Sequence, residues 1–387
     1  MIQKGFKYRI YPNQEQEQKI AQHLGCVRYI YNKALETKVK HYEKTGKSLS
    51  CFELTTGLLK QEKAEHEWLK GPYSQCLQMS LRNLDNAFTR FFKQKKGFPK
   101  FKAKHDSKQS CQFPQHVKID FENSKICLPK IGWIKTKLSR QFNGKVKTTT
   151  LSRTSTGKYF VSILVETNEE IKLKKPVRKE TSVGIDLGIK SYIVTSDGEE
   201  IQYPKFLRQS IDRLKILQSR ASKHPKGGVR RRRAIRKVAR LHEKIRNQRH
   251  DWLHKLSTKL ISDNQTVCLE DLNVSSMLKN HCLAQSISDC SWGTFVEFLQ
   301  YKAEWYGVNI LKIGRFEPSS KMCSCCGCMK KDLNLSDRKW YCEECGVLHD
   351  RDVNAALNIK KFALLKQNSG SGRPGELQSA NTSTLVE

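Results

Sequence analysis

The spacing of apolar residues changes several times along the chain, and the changes divide it. Residues 2–11, IQKGFKYRIY, alternate well enough for a strand. Pro12-Asn13 then starts a helix, with Asn13 as N-cap and Gln16 three residues on completing a capping box. Ile20, Leu24, Val27 and Tyr31 keep helical spacing, and helical periodicity with polar breaks continues to about residue 95, which predicts a small bundle. Between 107 and 167 the period shortens: HVKIDF, KICLPKIG, WIKTKL, KVKTTTLSR and KYFVSILVE are short strands separated by Gly, Asn and Ser, and together predict an all-β unit, a small barrel. KLKKPVRKE, 172–180, is a charged connection.

A third pattern follows. VGIDLG and SYIVTS, the turn Asp197-Gly198 and EIQYP predict a β-hairpin with a third strand over 183–204. A long basic helical stretch comes next, broken in two by Pro225 and Gly227-Gly228. TVCLED, 266–271, is a buried-type strand ending in two acids, and VNILKIG, 308–314, is another. Between them, 291–307 is a helix with Ser291 as N-cap and Gly307 as C-cap. A last helix runs from about 352 to 366, and the small, polar tail 367–387 has the composition of a disordered segment. No internal repeat is present.

Charge adds the partner. The 387 residues carry 71 Lys and Arg against 38 Asp and Glu, a formal +33, while 37% apolar residues suffice for real cores. A compact domain so charged repels itself unless a polyanion neutralises it, and nucleic acid is the natural one. No run of about 18 apolar residues exists and no lipidation motif supports a membrane surface. The basic residues cluster. Between Lys205 and Asn247 stand 16 Lys or Arg against two acids, with Arg230, Arg231, Arg232 and Arg233 in a row. A solvated face is the bland account of such a run, and phosphate contact the sharper one. TRFFKQKKGFPKFKAK, 89–104, interleaves Phe91, Phe92, Phe98 and Phe101 with Lys95, Lys96, Lys100 and other lysines. It suits bases and phosphates, but its phenylalanines equally suit a core at a helix end.

Six of the fourteen cysteines crowd into 323–345. With no apolar stretch of signal-peptide type at MIQKGFKYRIYP, the expectation is an intracellular, reduced protein, cytoplasmic and nucleoid-associated, whose clustered cysteines bind metal. Cys323-x-x-Cys326 and Cys342-x-x-Cys345, 15 residues apart and each followed by glycine, match a closed structural Zn²⁺ site. Cys325-x-x-Cys328 is a second possible register, with a 13-residue spacer and no trailing glycine, and a redox dithiol is the other alternative.

Three acids stand out by context. Asp186 interrupts the apolar strand VGIDLGI, and Glu270 ends TVCLE. In the last helix Asp352 shares a face with Ala355, Ala356, Ile359, Phe362 and Ala363, whereas Asp350 is better placed as the helix cap. Single acids of this kind are usually caps or surface ion pairs. Three converging in a basic protein fit a two-metal phosphodiesterase using Mg²⁺ or Mn²⁺. The element order around them is that of an RNase H-like fold with the zinc ribbon inserted before the last helix.

GIDLGIKSYIVTSDGE, LEDLNV, SISDCSWGTFVEFLQYKAEWYG, PSSKMCSCCG and WYCEECGVLHDRDVNAALNI, in this order, resemble the TnpB/OrfB family, transposon-encoded RNA-guided nucleases related to type V CRISPR effectors and often labelled transposases. The resemblance covers nearly the whole chain. It implies a RuvC-like nuclease domain, 181–322 and 347–366, with Asp186, Glu270 and Asp352 as catalytic acids, and a zinc ribbon at 323–346. It implies a wedge β-barrel from 1–12 and 106–180 and a helical recognition insert at 13–105. The implied partners are a noncoding guide RNA and a double-stranded DNA target beside a short recognition motif. A transposition-associated DNA-binding regulator without cleavage, guided or not, or a transposase or transposase accessory protein, is the alternative, and co-purifying RNA together with the acids discriminates.

Overall fold

The structure, a computed structural model, describes residues 2–106, 108–170, 172–334 and 336–369. The expected disordered tail lies outside them from 370 on. The chain divides into two compact units, the first ending at Glu170 and the second beginning at Ile171.

The first unit opens with β1 (Ile2–Tyr11) and α1 (Gln14–Thr45). Asn13 Oδ1 accepts from Gln16 N at 2.8 Å and Gln16 Oε1 from Asn13 N at 3.1 Å, the expected capping box. A short α2 (Cys51–Glu53), a π turn, α3 (Leu59–Glu65) and α4 (Ser74–Gln94) complete the helices. The strands are β2 (Lys108–Phe113), β3 (Lys118–Asp120), β4 (Lys125–Leu128), β5 (Gly132–Lys137), β6 (Lys145–Thr154) and β7 (Tyr159–Thr167), in the order β2-β6-β7-β1-β5-β4-β3. The first strand of the chain is therefore the middle of the sheet, paired with β7 from Ile2↔Thr167 to Ile10↔Tyr159 and with β5 on its other edge. One apolar cluster, including Ile10, Ile20, Leu77, Phe113, Ile134 and Val161, joins sheet and helices. Two details differ from expectation. β2, KQSCQF, carries too few apolar residues to show alternation. No ladder joins β2 to β3 among the described residues, so no backbone ladder closes the expected barrel.

The second unit contains a five-stranded sheet in the order β10-β9-β8-β11-β12. Its strands are β8 (Ser182–Asp186), β9 (Ile193–Thr195), β10 (Glu200–Ile201), β11 (Thr266–Glu270) and β12 (Asn309–Ile313). β8, β11 and β12 run parallel, and β9 and β10 are antiparallel. Parallel strands are covered on both faces. Val183, Ile185, Val267 and Leu269 pack against α6 (Val229–Asp263) and α9 (Trp292–Tyr306) through Leu253, Leu256, Phe295 and Leu299. Cys268 and Ile313 pack on the opposite side against Ile359 and Ala363 of the last helix, α10 (Arg351–Ser369). That helix includes 367–369, which the sequence assigns to the tail. The basic stretch forms α5 (Phe206–Ser222) and α6, and two short helices, α7 (Val274–Met277) and α8 (Ala284–Cys290), precede α9. Ser291 does not cap α9 with its side chain. Its backbone is left-handed, φ 53°, and its hydroxyl donates back to Ser288 O at 3.1 Å, so the residue serves as a corner between α8 and α9. Gly307, φ 67°, ends α9 as expected. A two-stranded ribbon, β13 (Lys339–Tyr341) and β14 (Leu348–Asp350), lies between β12 and α10, and its second strand continues past the expected limit at 346. No described helix is long and apolar enough to cross a membrane, and none of the fourteen cysteines is in a disulfide.

Candidate active site and metal cluster

Strand register brings the first two acids together. Ile185 pairs with Leu269 in the parallel β8–β11 ladder, so Asp186 and Glu270 end adjacent strands side by side, about 4.8 Å apart along the sheet. Side-chain alternation then sets their direction. Ile185 and Leu269 belong to the α6/α9 core, so Gly184 and Asp186 on β8, like Cys268 and Glu270 on β11, share the α10 face.

Gly184 lets α10 come close. A Cβ there would overlap the Ala356 carbonyl oxygen and stand 2.8 Å from Lys360 Cβ. From this crossing point Asp352 lies one helical turn back, about 6 Å, and Asp186 two strand residues on, about 6.6 Å. The charge of Asp352 acts on Asp186, so the two carboxylates lie toward the same end. Asp186 registers the convergence: burial, reinforced by the charges of Glu270 and Asp352, pushes its carboxyl up to about 7. It keeps a partial opening to solvent. The trio is looser than a single-ion cage. The described His, Cys, Asp and Glu groups whose ligand atoms all lie within 4.8 Å are the four thiols of the ribbon and Glu62, Glu65 and His66 in the first unit. Glu62 there is engaged by Tyr29 Oη at 2.7 Å and Lys33 Nζ at 3.3 Å, a buried ion-pair network.

Each remaining acid has a distinct partner. Ser319 Oγ donates to Glu270 Oε1 at 2.5 Å. Arg338, from the ribbon, reaches both Asp352 carboxylate oxygens at 3.4 Å. Asp350 Oδ1 accepts from Asp352 N at 3.0 Å and Val353 N at 3.2 Å, so it caps α10 as the sequence suggests. Ala355, Ala356, Ile359 and Ala363 are buried, as expected for the Asp352 face.

The thiols of Cys323, Cys326, Cys342 and Cys345 converge, with Cys323–Cys345 at 3.7 Å and Cys326–Cys342 at 3.5 Å. A tetrahedral Zn²⁺ with Zn–S near 2.3 Å requires S···S of about 3.8 Å, so this donor set fits zinc. Gly327 and Gly346, φ 82° and 66°, turn the two knuckles, their amides returning to Cys323 O and Cys342 O at 2.9 Å each. The Cys345 backbone N–H lowers the Cys342 thiol to about 7. Cys325 and Cys328 stand outside the four-thiol group. His349 Nε2 lies 3.0 Å from Cys323 Sγ, its ring buried against Trp340 at 4.7 Å. Desolvation lowers the His349 pKa and favours the neutral ring, whose N–H can donate to a thiolate.

The basic segments resolve unequally. Phe92, Phe98 and Phe101 are exposed, while Phe88 takes the core position at that helix end. Lys95, Lys96 and Lys100 are exposed around them. Arg230, Arg232 and Arg233 are exposed as well, but Arg231 is used internally: its Nη1 donates to Ala221 O at 3.2 Å and His224 O at 2.8 Å, closing the C-terminal end of α5.

Sequence inspection missed six residues that organise this region: Gly184, Ser319, Arg338, His349, Asn354 and Asn358. Asn354 and Asn358 are buried on α10. Asn354 accepts from Ser324 N at 2.9 Å and donates to Met322 O at 2.8 Å, and Asn358 donates to Ser319 O at 2.8 Å, tying the segment before the first knuckle to the helix of Asp352. Two asparagines a turn apart beside an apolar face were the available signal.

Three family models match the chain: "Helix-turn-helix domain" over residues 1–47, "Probable transposase" over 162–281 and "Cas12f1-like, TNB domain" over 292–359. Residues 2–45 here are a strand and one long helix. A Streptomyces pristinaespiralis protein named "Putative RNA-guided DNA endonuclease" is 37% identical over 385 residues, 98% of this chain and 94% of its own length. The "Putative RNA-guided DNA endonuclease InsQ" of Escherichia coli K12 is 33% identical, covering 92% and 90%. Among solved structures, the protein of a Cas12f1-sgRNA-target DNA complex superposes with a TM-score of 0.59 at 16% identity, over 93% of this chain and 98% of that one, a likeness of fold. With more than a third of its residues identical to a relative along nearly its whole length, the chain belongs to the TnpB/OrfB family, relatives of the type V effectors.

Proposed function

We propose that the protein is an RNA-guided DNA endonuclease whose nuclease centre is Asp186, Glu270 and Asp352. The observation that carries the assignment is the strand register that sets Asp186 beside Glu270 on the sheet face covered by α10, with the charge of Asp352 also acting on Asp186. Acids gathered on one sheet face, on a chain of formal charge +33, are what a site for divalent cations at a phosphodiester requires. The five-stranded sheet with α6, α9 and α10 is then the RNase H-like, RuvC-type domain, and residues 323–350 its zinc ribbon. The seven-stranded sheet with 13–105 is the wedge and recognition part. The name borne by the relatives supports guided cleavage.

Asp186, Glu270 and Asp352 would hold Mg²⁺ or Mn²⁺, probed most simply as a two-ion site. Such ions supply an activated water and stabilise the leaving 3′ oxygen of an in-line displacement. The chain's own part is positional. β8 and β11 fix two acids at adjacent strand ends. Asp350 fixes the start of α10 and so the phase of Asp352. Ser319 orients one Glu270 oxygen and leaves the other for a ligand. The ribbon cysteines would hold one structural zinc. Basic surfaces, among them Lys95, Lys96, Lys100, Arg230, Arg232 and Arg233, would take RNA and DNA phosphates, while base pairing with a noncoding guide reads the target beside a short recognition motif.

Expression with flanking transposon DNA, sequencing of co-purifying RNA, and plasmid cleavage with Mg²⁺ test this. The expected result is bound noncoding RNA and linearisation that Asp352→Ala abolishes and Asp350→Ala merely weakens. Absence of RNA refutes guidance. RNA-dependent target binding without cutting favours a guided regulator. Full cutting by Asp352→Ala refutes the acid assignment.

A further inference from the structure

Beside the proposed acids the chain holds a large apolar side chain entirely in solvent. Phe316 is 98% exposed, the most exposed of the large hydrophobic residues described. A single exposed phenylalanine is unremarkable on a surface. This one is carried on a loop anchored at both ends to the strand end that bears Glu270. On one side Arg315 grips Asp271, with Nε 3.2 Å from its carbonyl oxygen and Nη2 2.9 Å from Oδ2. On the other, buried Ser319 donates to Glu270, and its own carbonyl accepts from Asn358 Nδ2 at 2.8 Å. Between the anchors the chain turns on itself, Ser319 N donating to Glu317 O at 2.8 Å and Glu317 N to Gly314 O at 3.4 Å. A six-residue loop so pinned does not carry its central ring outward for want of a core position alone. Nothing in the loop's own bonding uses the ring.

We infer that Phe316 is a stacking platform for an unpaired base of the DNA strand entering the acid site. The inference rests on the nuclease reading above. Chemistry selects the occupant. A phosphodiester presented to Asp186, Glu270 and Asp352 brings bases within one or two nucleotides of the loop, and a base offers a π-face to an aromatic ring irrespective of sequence. The neighbouring cations, Arg315, Lys312 and Lys321, suit the backbone of the same strand. A paired base has both faces occupied by its neighbours, so the platform selects single-stranded DNA, the form that guide pairing displaces or leaves exposed.

Phe316→Ala, Phe316→Leu and Phe316→Tyr, made in the full-length RNA-loaded protein, separate aromatic stacking from apolar bulk. The first measurement is fluorescence of a single-stranded DNA oligonucleotide carrying 2-aminopurine at successive positions. One position is quenched by the parent and by Phe316→Tyr, and released by Phe316→Ala and Phe316→Leu. The second is single-turnover cleavage of a target duplex, which falls roughly 5- to 150-fold in the Ala and Leu variants, the range of one lost base–aromatic stack, and recovers with Tyr. Thermal melting of all three stays at the parent value, because the side chain is solvent-exposed. Equal quenching by parent and Phe316→Ala at every position overturns the inference, as does cleavage by Phe316→Leu at the parent rate. A parent that quenches but does not cut refutes the nuclease assignment while leaving the platform intact, so the two failures are distinguishable.

Discussion

Asp186→Asn exposes the cost of assembling three acids around the proposed metal site. Without metal, the folded protein holds the Asp186 carboxyl up to about 7, against 3.8 for an ordinary aspartate, chiefly by burial and then through Glu270 and Asp352. The folded state therefore binds this proton more tightly than the unfolded state. Stability from this source is present below pH 4, is lost as pH rises through the interval from 4 to 7, and stays lost above it. At about 1.4 kcal/mol per pH unit the full interval is worth about 4 kcal/mol. Asparagine has no such proton, so in EDTA the variant gains on the parent as pH rises, by about 1 kcal/mol at pH 4.5 and about 4 kcal/mol at pH 8. Mg²⁺ should reverse the order at pH 8 by binding the parent's ionised carboxylate. Because the chain has two units, global unfolding is a poor readout. Hydrogen exchange of the β8 and α10 amides reports the local opening instead. A stability gap that does not change with pH, or Mg²⁺ protection equal in parent and variant, would refute the electrostatic account of the cluster.

Further expectations follow from packing, ligation and charge. Gly184→Ala has to push α10 off β8 by roughly 1 Å, because the new methyl meets the Ala356 carbonyl and Lys360 Cβ. Hydrogen-exchange protection of the α10 amides should fall by the equivalent of about 1–3 kcal/mol and cleavage by about 100-fold, and a variant cutting within a few-fold of the parent would contradict the close-approach role. His349→Phe keeps the ring stacked on Trp340 but removes the N–H near Cys323, so zinc retention against a chelator should weaken about 10- to 100-fold. Unchanged retention would show that the bond does not support the site. Arg232→Ala with Arg233→Ala should lower the salt slope of RNA binding by up to about 2 without changing melting. Arg231→Ala should do the converse, lowering melting, since its guanidinium closes α5; if the three arginines behave alike, the structural distinction fails.

Much of the fold was visible in the sequence where one local rule decided it. The Asn13–Gln16 box, the Gly307 stop and the knuckle glycines depend on a few adjacent residues, and the sequence shows them directly. β2 was not visible, because KQSCQF is a strand by virtue of its pairing with β6 and not by its own alternation. Ser291 sits at the expected helix start but is a left-handed corner, a consequence of α8 preceding it closely. The identity of the acids could be argued from burial of a strand and from one helical face. Their supports could not. Arg338, His349 and Ser319 act across gaps of 14, 26 and 49 residues, and no periodicity links such positions.

Those supports explain why a four-cysteine ribbon stands between a strand and the helix that returns to it. For the proposed site, α10 has to present Asp352 to Asp186 and Glu270 in one rotational phase, and a helix docked by alanines alone can slide along a sheet. Here the start of the helix is bound by Asp350, itself the last residue of the ribbon strand β14. Its first and second turns are bound by Asn354 and Asn358, which grip Met322 and Ser319 immediately before the first Cys-x-x-Cys knuckle. Both ends of the four-cysteine unit thus hold the same two turns of helix, and Arg338 extends from it to Asp352. Removing zinc, for example with Cys326→Ser, frees both ends at once. On this geometry it should depress cleavage through loss of Asp352 alignment while the β8–β11 ladder keeps its hydrogen-exchange protection, whereas protection lost equally across β8, β11 and α10 would mean that the ribbon holds the whole sheet and not the helix alone.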